Sequence, residues 1–174
     1  SKLFLIAGPC VIEGYDRTLM IGREIKKICE RLGVQYIFKA SYDKANRSSF
    51  NSFRGPGLDK GLEILASIKK ELQVPVLSDV HDVTQLEKAS KVLDMIQIPA
   101  FLCRQIDLVY GAAKTGVPVN VKKGQFMAPE DMKNVIEKME EAGNPNLAVT
   151  ERGASFGYHN LVVDMRSFPI LRSF

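Results

Sequence analysis

Six short apolar runs recur along the chain, and each stops at residues suited to holding an anion or a metal. Leu3-Phe4-Leu5-Ile6 leads into Gly8-Pro9-Cys10, and Tyr36-Ile37-Phe38 ends at Lys39. Val74-Pro75-Val76-Leu77 ends at Ser78-Asp79-Val80-His81, and Met95-Ile96 leads to Gln97. Val119-Asn120-Val121 ends at Lys122-Lys123, and Leu147-Ala148-Val149 leads through Thr150 to Glu151-Arg152. A chemical group repeated at successive strand ends is how a parallel α/β barrel builds its site, because all its C-terminal strand ends open on one face. Most of these groups are cationic, so the expected ligand is a phosphorylated anion.

Helical periods lie between the runs. Ile21, Ile25, Ile28 and Leu32 fall on one stripe, closed by Gly33. Leu58, Leu62, Leu65, Ile68 and Leu72 make a second stripe. Asp82 followed by Gln85 reads as a capping box opening a third helix, through about Val92. Arg104 to Thr115 is a fourth, closed by Gly116, and Met132, Val135, Ile136 and Met139 mark a fifth, closed by Gly143. Strand and helix alternate, which predicts a parallel sheet with helices outside it. Leu161-Val162-Val163 is ambiguous between strand and helix. Six βα units in 174 residues do not close an eight-stranded barrel, which takes about 250. The sheet is therefore open, or the chain is the first part of something longer.

Composition narrows the partners. The net charge of +4, from 24 basic and 20 acidic residues, is mild, and the cations form no single run. A nucleic-acid partner is not expected. No apolar stretch approaches the roughly 20 residues that span a bilayer, and no leader peptide is read at the start. Cys10, Cys29 and Cys103 are widely spaced without a C-x-x-C pair, which fits a reducing cytoplasm better than a disulfide framework.

The densest chemistry is Lys39-Ala40-Ser41-Tyr42-Asp43-Lys44-Ala45-Asn46-Arg47-Ser48-Ser49, within a long polar segment from Ala40 to Pro56. A loop that long in a compact domain is usually functional, and Arg and Lys suit phosphate and carboxylate. Of Lys122 and Lys123, strand alternation lets only one face the barrel mouth, and Lys122 is the choice. Arg152 has the same standing, against the alternative of an ordinary ion pair. Asp79 and His81 alternate and so share a side, which suits proton transfer or metal ligation; Asp82 reads as a helix cap. Gln97 is either a satisfied core amide or a ligand contact. Cys10 alone is most simply a small buried residue, as is Cys29.

Together these residues resemble the 3-deoxy-D-manno-octulosonate 8-phosphate synthase family over about Leu3 to Phe168. The resemblance rests on Lys39 to Ser49, Ser52-Phe53-Arg54-Gly55-Pro56-Gly57, Gln97-Ile98-Pro99-Ala100-Phe101-Leu102, Arg104-Gln105, Asn120-Val121-Lys122-Lys123, and Arg152-Gly153 with Phe156-Gly157-Tyr158. It implies a (β/α)8 TIM barrel, of which this chain supplies about the first six βα units as a single domain over residues 1–174, cut short on its C-terminal side. It implies condensation of phosphoenolpyruvate with D-arabinose 5-phosphate, releasing phosphate, for the lipopolysaccharide core of a Gram-negative-type bacterium. In family terms Lys39, Ser41 and Lys44 hold the phosphoenolpyruvate carboxylate region. Lys122 and Arg152 hold its phosphate, while Gln97 and Ala100 line the pocket. Asn46, Arg47 and Ser48 contact arabinose 5-phosphate. Arg104 reaches the sugar phosphate of a neighbouring subunit in a homotetramer. Asp79 and His81 lie near the reacting centre, with Lys39 and Lys122 acting on the reaction itself.

Gly8-Pro9-Cys10 resembles the family's metal-dependent class, which implies a divalent ion bound by Cys10. A thiolate favours zinc, iron or a similar ion over magnesium. The family's other ligands, a histidine, a glutamate and an aspartate, belong to its last two βα units, so the functional protein is expected to be longer. Two readings compete: a synthase using erythrose 4-phosphate or an amino sugar, which Asn46-Arg47-Ser48 argues against, and a non-catalytic anion-binding fragment. A phosphate-binding isomerase or Schiff-base aldolase barrel is a third.

Overall fold

The computed structural model describes residues 3–174 and has the expected alternation of parallel strands and helices. Two compact units divide the chain: the residues up to Asp79 together with Lys88–Met95, and Val80–Glu87 with Ile96–Phe174.

In the first unit, β1 (Phe4–Ala7), β2 (Gln35–Lys39) and β3 (Val76–Asp79) pair in parallel, with Ile6 opposite Ile37 and Lys39 opposite Leu77. Helices α1 (Tyr15–Leu32) and α2 (Leu58–Leu72) pack on each other. Phe38, Leu65, Ile68, Val76 and Leu77 are fully buried in the core. The apolar run at Val74 enters the sheet only at Val76, because Pro75 has no N–H to give a ladder. Its carbonyl accepts from Phe38 instead, at 2.8 Å, and the Asp94 carboxylate accepts from the Val76 N–H at 2.9 Å.

The face that α1 buries differs from the expected stripe. Thr18, Leu19, Gly22 and Cys29 are buried, whereas Ile28 and Leu32 are 46% and 65% exposed. The small residue decides it: a Cβ on Gly22 would stand 2.6 Å from Leu72 and 3.1 Å from Phe38, so the helix comes closest where it lacks a side chain. Gly33 ends α1 as read, at φ 65°, with its N–H on the carbonyls of Cys29 and Glu30.

In the second unit, β4 (Met95–Ile98) from Ile96 on, β5 (Val119–Lys122) and β6 (Leu147–Thr150) are parallel, with Gln97 opposite Asn120 and Lys122 opposite Thr150. Helices α4 (Ile106–Lys114) and α5 (Met132–Glu141) pack together. The third helix, α3 (Leu86–Ser90), whose first two residues belong to this unit and the rest to the first, is shorter than expected. Asp82 does cap the turn before it, accepting from the Thr84 N–H at 2.8 Å. Gln85 Oε1 accepts from the His81 N–H at 2.9 Å. The ambiguous C-terminal stretch contributes one antiparallel bridge, Ala154 with Val162, and a short helix, α6 (Ser167–Leu171).

Candidate functional site

The end of β2 is drawn against the end of β1 by a missing side chain. A Cβ on Gly8 would lie 2.0 Å from the Lys39 carbonyl oxygen, so only glycine permits the approach. The chains stay joined beyond the strands: Ser41 N–H donates to the Cys10 carbonyl at 3.4 Å and Ile12 N–H to the Ser41 carbonyl at 3.0 Å. Cys10, Lys39 and Ser41 are thereby neighbours although 31 positions separate the first from the last.

Ser41, fully buried, is the centre of the first unit's polar cluster. Lys39 Nζ and Lys44 Nζ each donate to its Oγ at 2.9 Å, and the hydroxyl donates to Asp79 Oδ2. Lys39 Nζ also stands 3.6 Å from Asp79 Oδ2 and 3.4 Å from the Cys10 carbonyl. Lys39 thus reaches the Asp79 carboxylate directly, and Lys44 is joined to it through the Ser41 hydroxyl, so two ammonium groups are held at one buried oxygen. Buried Tyr42 anchors the loop that carries Lys44: its carbonyl accepts from Gly57 N–H at 3.0 Å, and Arg54 clamps Asp43 through two bonds of 2.8 and 2.6 Å. Burial, then the Asp79 and Asp43 charges, raises the Tyr42 phenol well above its usual range, so it stays neutral.

The Cys10 thiol is exposed. Partial desolvation pushes its pKa up, but the hydrogen bond from Lys44 and the charges of Lys44, Lys39 and Arg47 outweigh it and hold the thiol below its ordinary value. A thiolate so favoured is a good soft-metal ligand or nucleophile. Among the described residues no group of three or more His, Cys, Asp and Glu side chains converges on one point. Cys10 therefore fits a metal as a single ligand and not as a complete set. Asn46, Arg47 and Ser48 stand exposed on the loop.

In the second unit, Gln97 lies inside β4 rather than at its end, and it is buried. Asn120 Nδ2 donates to Gln97 Oε1 at 2.9 Å, and Thr150 Oγ1 donates to Asn120 Oδ1 at 2.8 Å, a chain of bonds across three strands. Gln97 thus has a hydrogen-bond partner within the sheet. Lys122, half-buried, shares the β5 face of Asn120 by alternation. Lys123, on the other face, is buried with Glu151. The structure therefore separates the two lysines as expected, but gives Lys123 a buried role that its sequence does not signal. Arg152 is half-buried, Ala100 is buried in the turn after β4, Arg104 is exposed, and His81 is half-buried with its N–H on Gln85. Cys103 is core, its thiol raised by burial and 3.2 Å from Met127 Sδ.

These features define a parallel β/α protein of the barrel class with cations at its strand ends. The chain belongs to the DAHP synthetase I family, whose model matches residues 1–174. It is 62% identical over 172 residues to a 2-dehydro-3-deoxyphosphooctonate aldolase of Trichlorobacter lovleyi, covering 99% of this chain and 63% of that one. Relatives of the same name from Desulfotalea psychrophila and Koribacter versatilis are 59% identical over 174 residues and 60% identical over 173, covering 100% and 99% of this chain and 62% of each relative. The chain thus spans less than two thirds of the length of the curated relatives it matches.

Proposed function

We propose that the protein condenses phosphoenolpyruvate with D-arabinose 5-phosphate and water, giving 3-deoxy-D-manno-octulosonate 8-phosphate and phosphate. The relatives' aldolase name describes the same carbon–carbon bond from the cleavage side. The observation that carries this reading is the Lys39–Ser41–Lys44–Asp79 cluster, in a chain about 60% identical to those relatives.

Lys39 and Lys44 neutralise the carboxylate of phosphoenolpyruvate, and Ser41, pinned by Asp79, sets their spacing. Lys122 and Arg152 take the phosphate. Asn46, Arg47 and Ser48 take the sugar phosphate, which suits their exposure on the loop. Gln97 holds Asn120 and through it the strand face that carries Lys122. The enol carbon attacks the sugar aldehyde. Water adds to the carbon bearing phosphate, and phosphate leaves with its bridging oxygen as the new ketone forms. Asp79 and His81 are the titratable groups assigned to proton movement. Positioning and charge neutralisation supply the rate, with no covalent enzyme intermediate.

Cys10 contributes a thiolate to a divalent ion such as zinc or iron, its lowered pKa being the support; that ion would polarise a substrate oxygen when bound. The remaining ligands are not among the described residues. A homotetramer with Arg104 at a neighbouring subunit's site, and a cytoplasmic location, complete the reading. Among the described residues no helix is long and apolar enough to cross a membrane.

Phosphate release from phosphoenolpyruvate tests it, with arabinose 5-phosphate or erythrose 4-phosphate, before and after chelation. Release with arabinose 5-phosphate that chelation abolishes is the expected result. Release with erythrose 4-phosphate alone would give the protein the seven-carbon synthesis instead, and binding without release would leave an anion-binding protein.

A further inference from the structure

Lys123 and Glu151 are the most buried oppositely charged pair in the second unit, with side chains 1% and 2% exposed and Nζ 3.6 Å from Oε1. Neither belongs to the machinery proposed above. Each is the chain neighbour of a residue that does: Lys122 precedes Lys123, and Arg152 follows Glu151. We infer that this pair is a positioning device which locks the ends of β5 and β6 together and so sets the affinity of the phosphate subsite formed by Lys122 and Arg152. The inference rests on the functional reading just given.

The bonding pattern supports it. Lys123 Nζ donates to the carbonyls of Gly124, Met127 and Gly153, each at 3.2 Å. Two of these lie in the loop after β5 and the third in the loop after β6, so one ammonium ties both loops. Glu151 Oε1 accepts from the Gly153 N–H at 2.5 Å, closing the second loop on itself. Lys123 N–H donates to the Thr150 carbonyl at 2.9 Å, and Ser155 N–H to the Gln125 carbonyl at 2.9 Å, so backbone bonds run on either side of the pair. Beyond Lys122 opposite Thr150, the next step of the register sets Lys123 against Glu151.

A buried ion pair is a poor source of net stability, because desolvation offsets most of the attraction; its best-attested use is to fix one geometry. Glu151 Oε2 is buried without a hydrogen-bond partner, which adds to that cost. Cation spacing at a phosphate subsite is the quantity that such fixing would protect. Small misplacements of positioning groups can cost large factors in rate or affinity.

The test compares Glu151→Gln, Lys123→Met and the double variant with the unaltered protein, reading both substrate KM values, kcat and the thermal midpoint. Glu151→Gln is expected to raise the phosphoenolpyruvate KM by roughly ten- to a hundredfold. The arabinose 5-phosphate KM should stay within about twofold. The double variant holds no unpaired buried charge, so it should recover the thermal midpoint but not the KM. That split separates positioning from bulk stability. A folded double variant with the parent's phosphoenolpyruvate KM overturns the inference, and so does an unfolded one, which would make the pair simply structural. An unaltered protein that does not bind phosphoenolpyruvate overturns the functional reading, a distinct result.

Discussion

The Ser41 hydroxyl has two lysines on one side and a carboxylate on the other. Replacing it by alanine removes the acceptor that both ammonium groups share and the hydroxyl that donates to Asp79. Hydrogen bonds to charged groups are worth about 1.5–3 kcal/mol, so Ser41→Ala should weaken phosphoenolpyruvate binding by roughly ten- to a hundredfold. Calorimetric titration reads this directly, and an unchanged affinity would remove Ser41 from the site. Cys10 offers a second test at the same scale. Its folded pKa is depressed, so the thiolate persists to lower pH than in an ordinary cysteine. The stability that this lends is present above the unfolded pKa and fades as pH falls through the folded one. In metal-stripped protein, the pH midpoint of Cys10 alkylation should lie below that of a free thiol, and Lys44→Ala should move it back up. A midpoint indifferent to Lys44 would contradict the assignment.

At the scale of elements, close approach at the first strand end is decisive. Gly8→Ala places a carbon 2.0 Å from the Lys39 carbonyl, and overpacking of this kind costs about 1–3 kcal/mol or more. Denaturant unfolding should show that loss, accompanied by a shift in the Cys10 titration as the thiol moves from its lysines. Lys123→Met, which leaves Glu151 as an uncompensated buried charge, should cost about 3–5 kcal/mol in the same measurement. All six strands were legible, because each is a short apolar run bounded by turn formers. The four longer helices, α1, α2, α4 and α5, were legible in the sequence, whereas α3 is only five residues long and the buried side of α1 was not legible. Its isoleucines look like a core stripe in sequence, and only the partners, Leu72 and Phe38 pressing on Gly22, reveal that the helix turns a small-residue face inward. The bond from the His81 N–H to Gln85 was not legible, because the spacing of Gln85 from Asp82 points to the helix end and not to the strand end before it. The Lys123–Glu151 pair was illegible because adjacent lysines look alike until the register sets one of them against an acid.

For the molecule as a whole, the cations at strand ends were readable in the sequence, whereas the wiring of the cluster was not. Ser41 and Asp79 lie far apart in the chain, and nothing local announces that a buried hydroxyl joins them. The same distance hides how the two lysines are held together there: both donate to the Ser41 hydroxyl, which donates in turn to Asp79. Positive charge held at preformed spacing is what two phosphorylated substrates demand if carbon is to reach carbon, since their mutual repulsion must be offset before reaction. Reduction with borohydride in the presence of phosphoenolpyruvate should therefore leave the mass of the protein unchanged; an adduct on Lys39 or Lys122 would replace charge neutralisation with Schiff-base chemistry. The most direct measurement is titration of the protein with phosphoenolpyruvate, alone and as Lys39→Ala and Lys122→Ala. The account predicts saturable binding that each substitution weakens by roughly tenfold or more, a charged hydrogen bond being lost each time. Binding that survives both substitutions unchanged, or no binding by the unaltered protein, would contradict it.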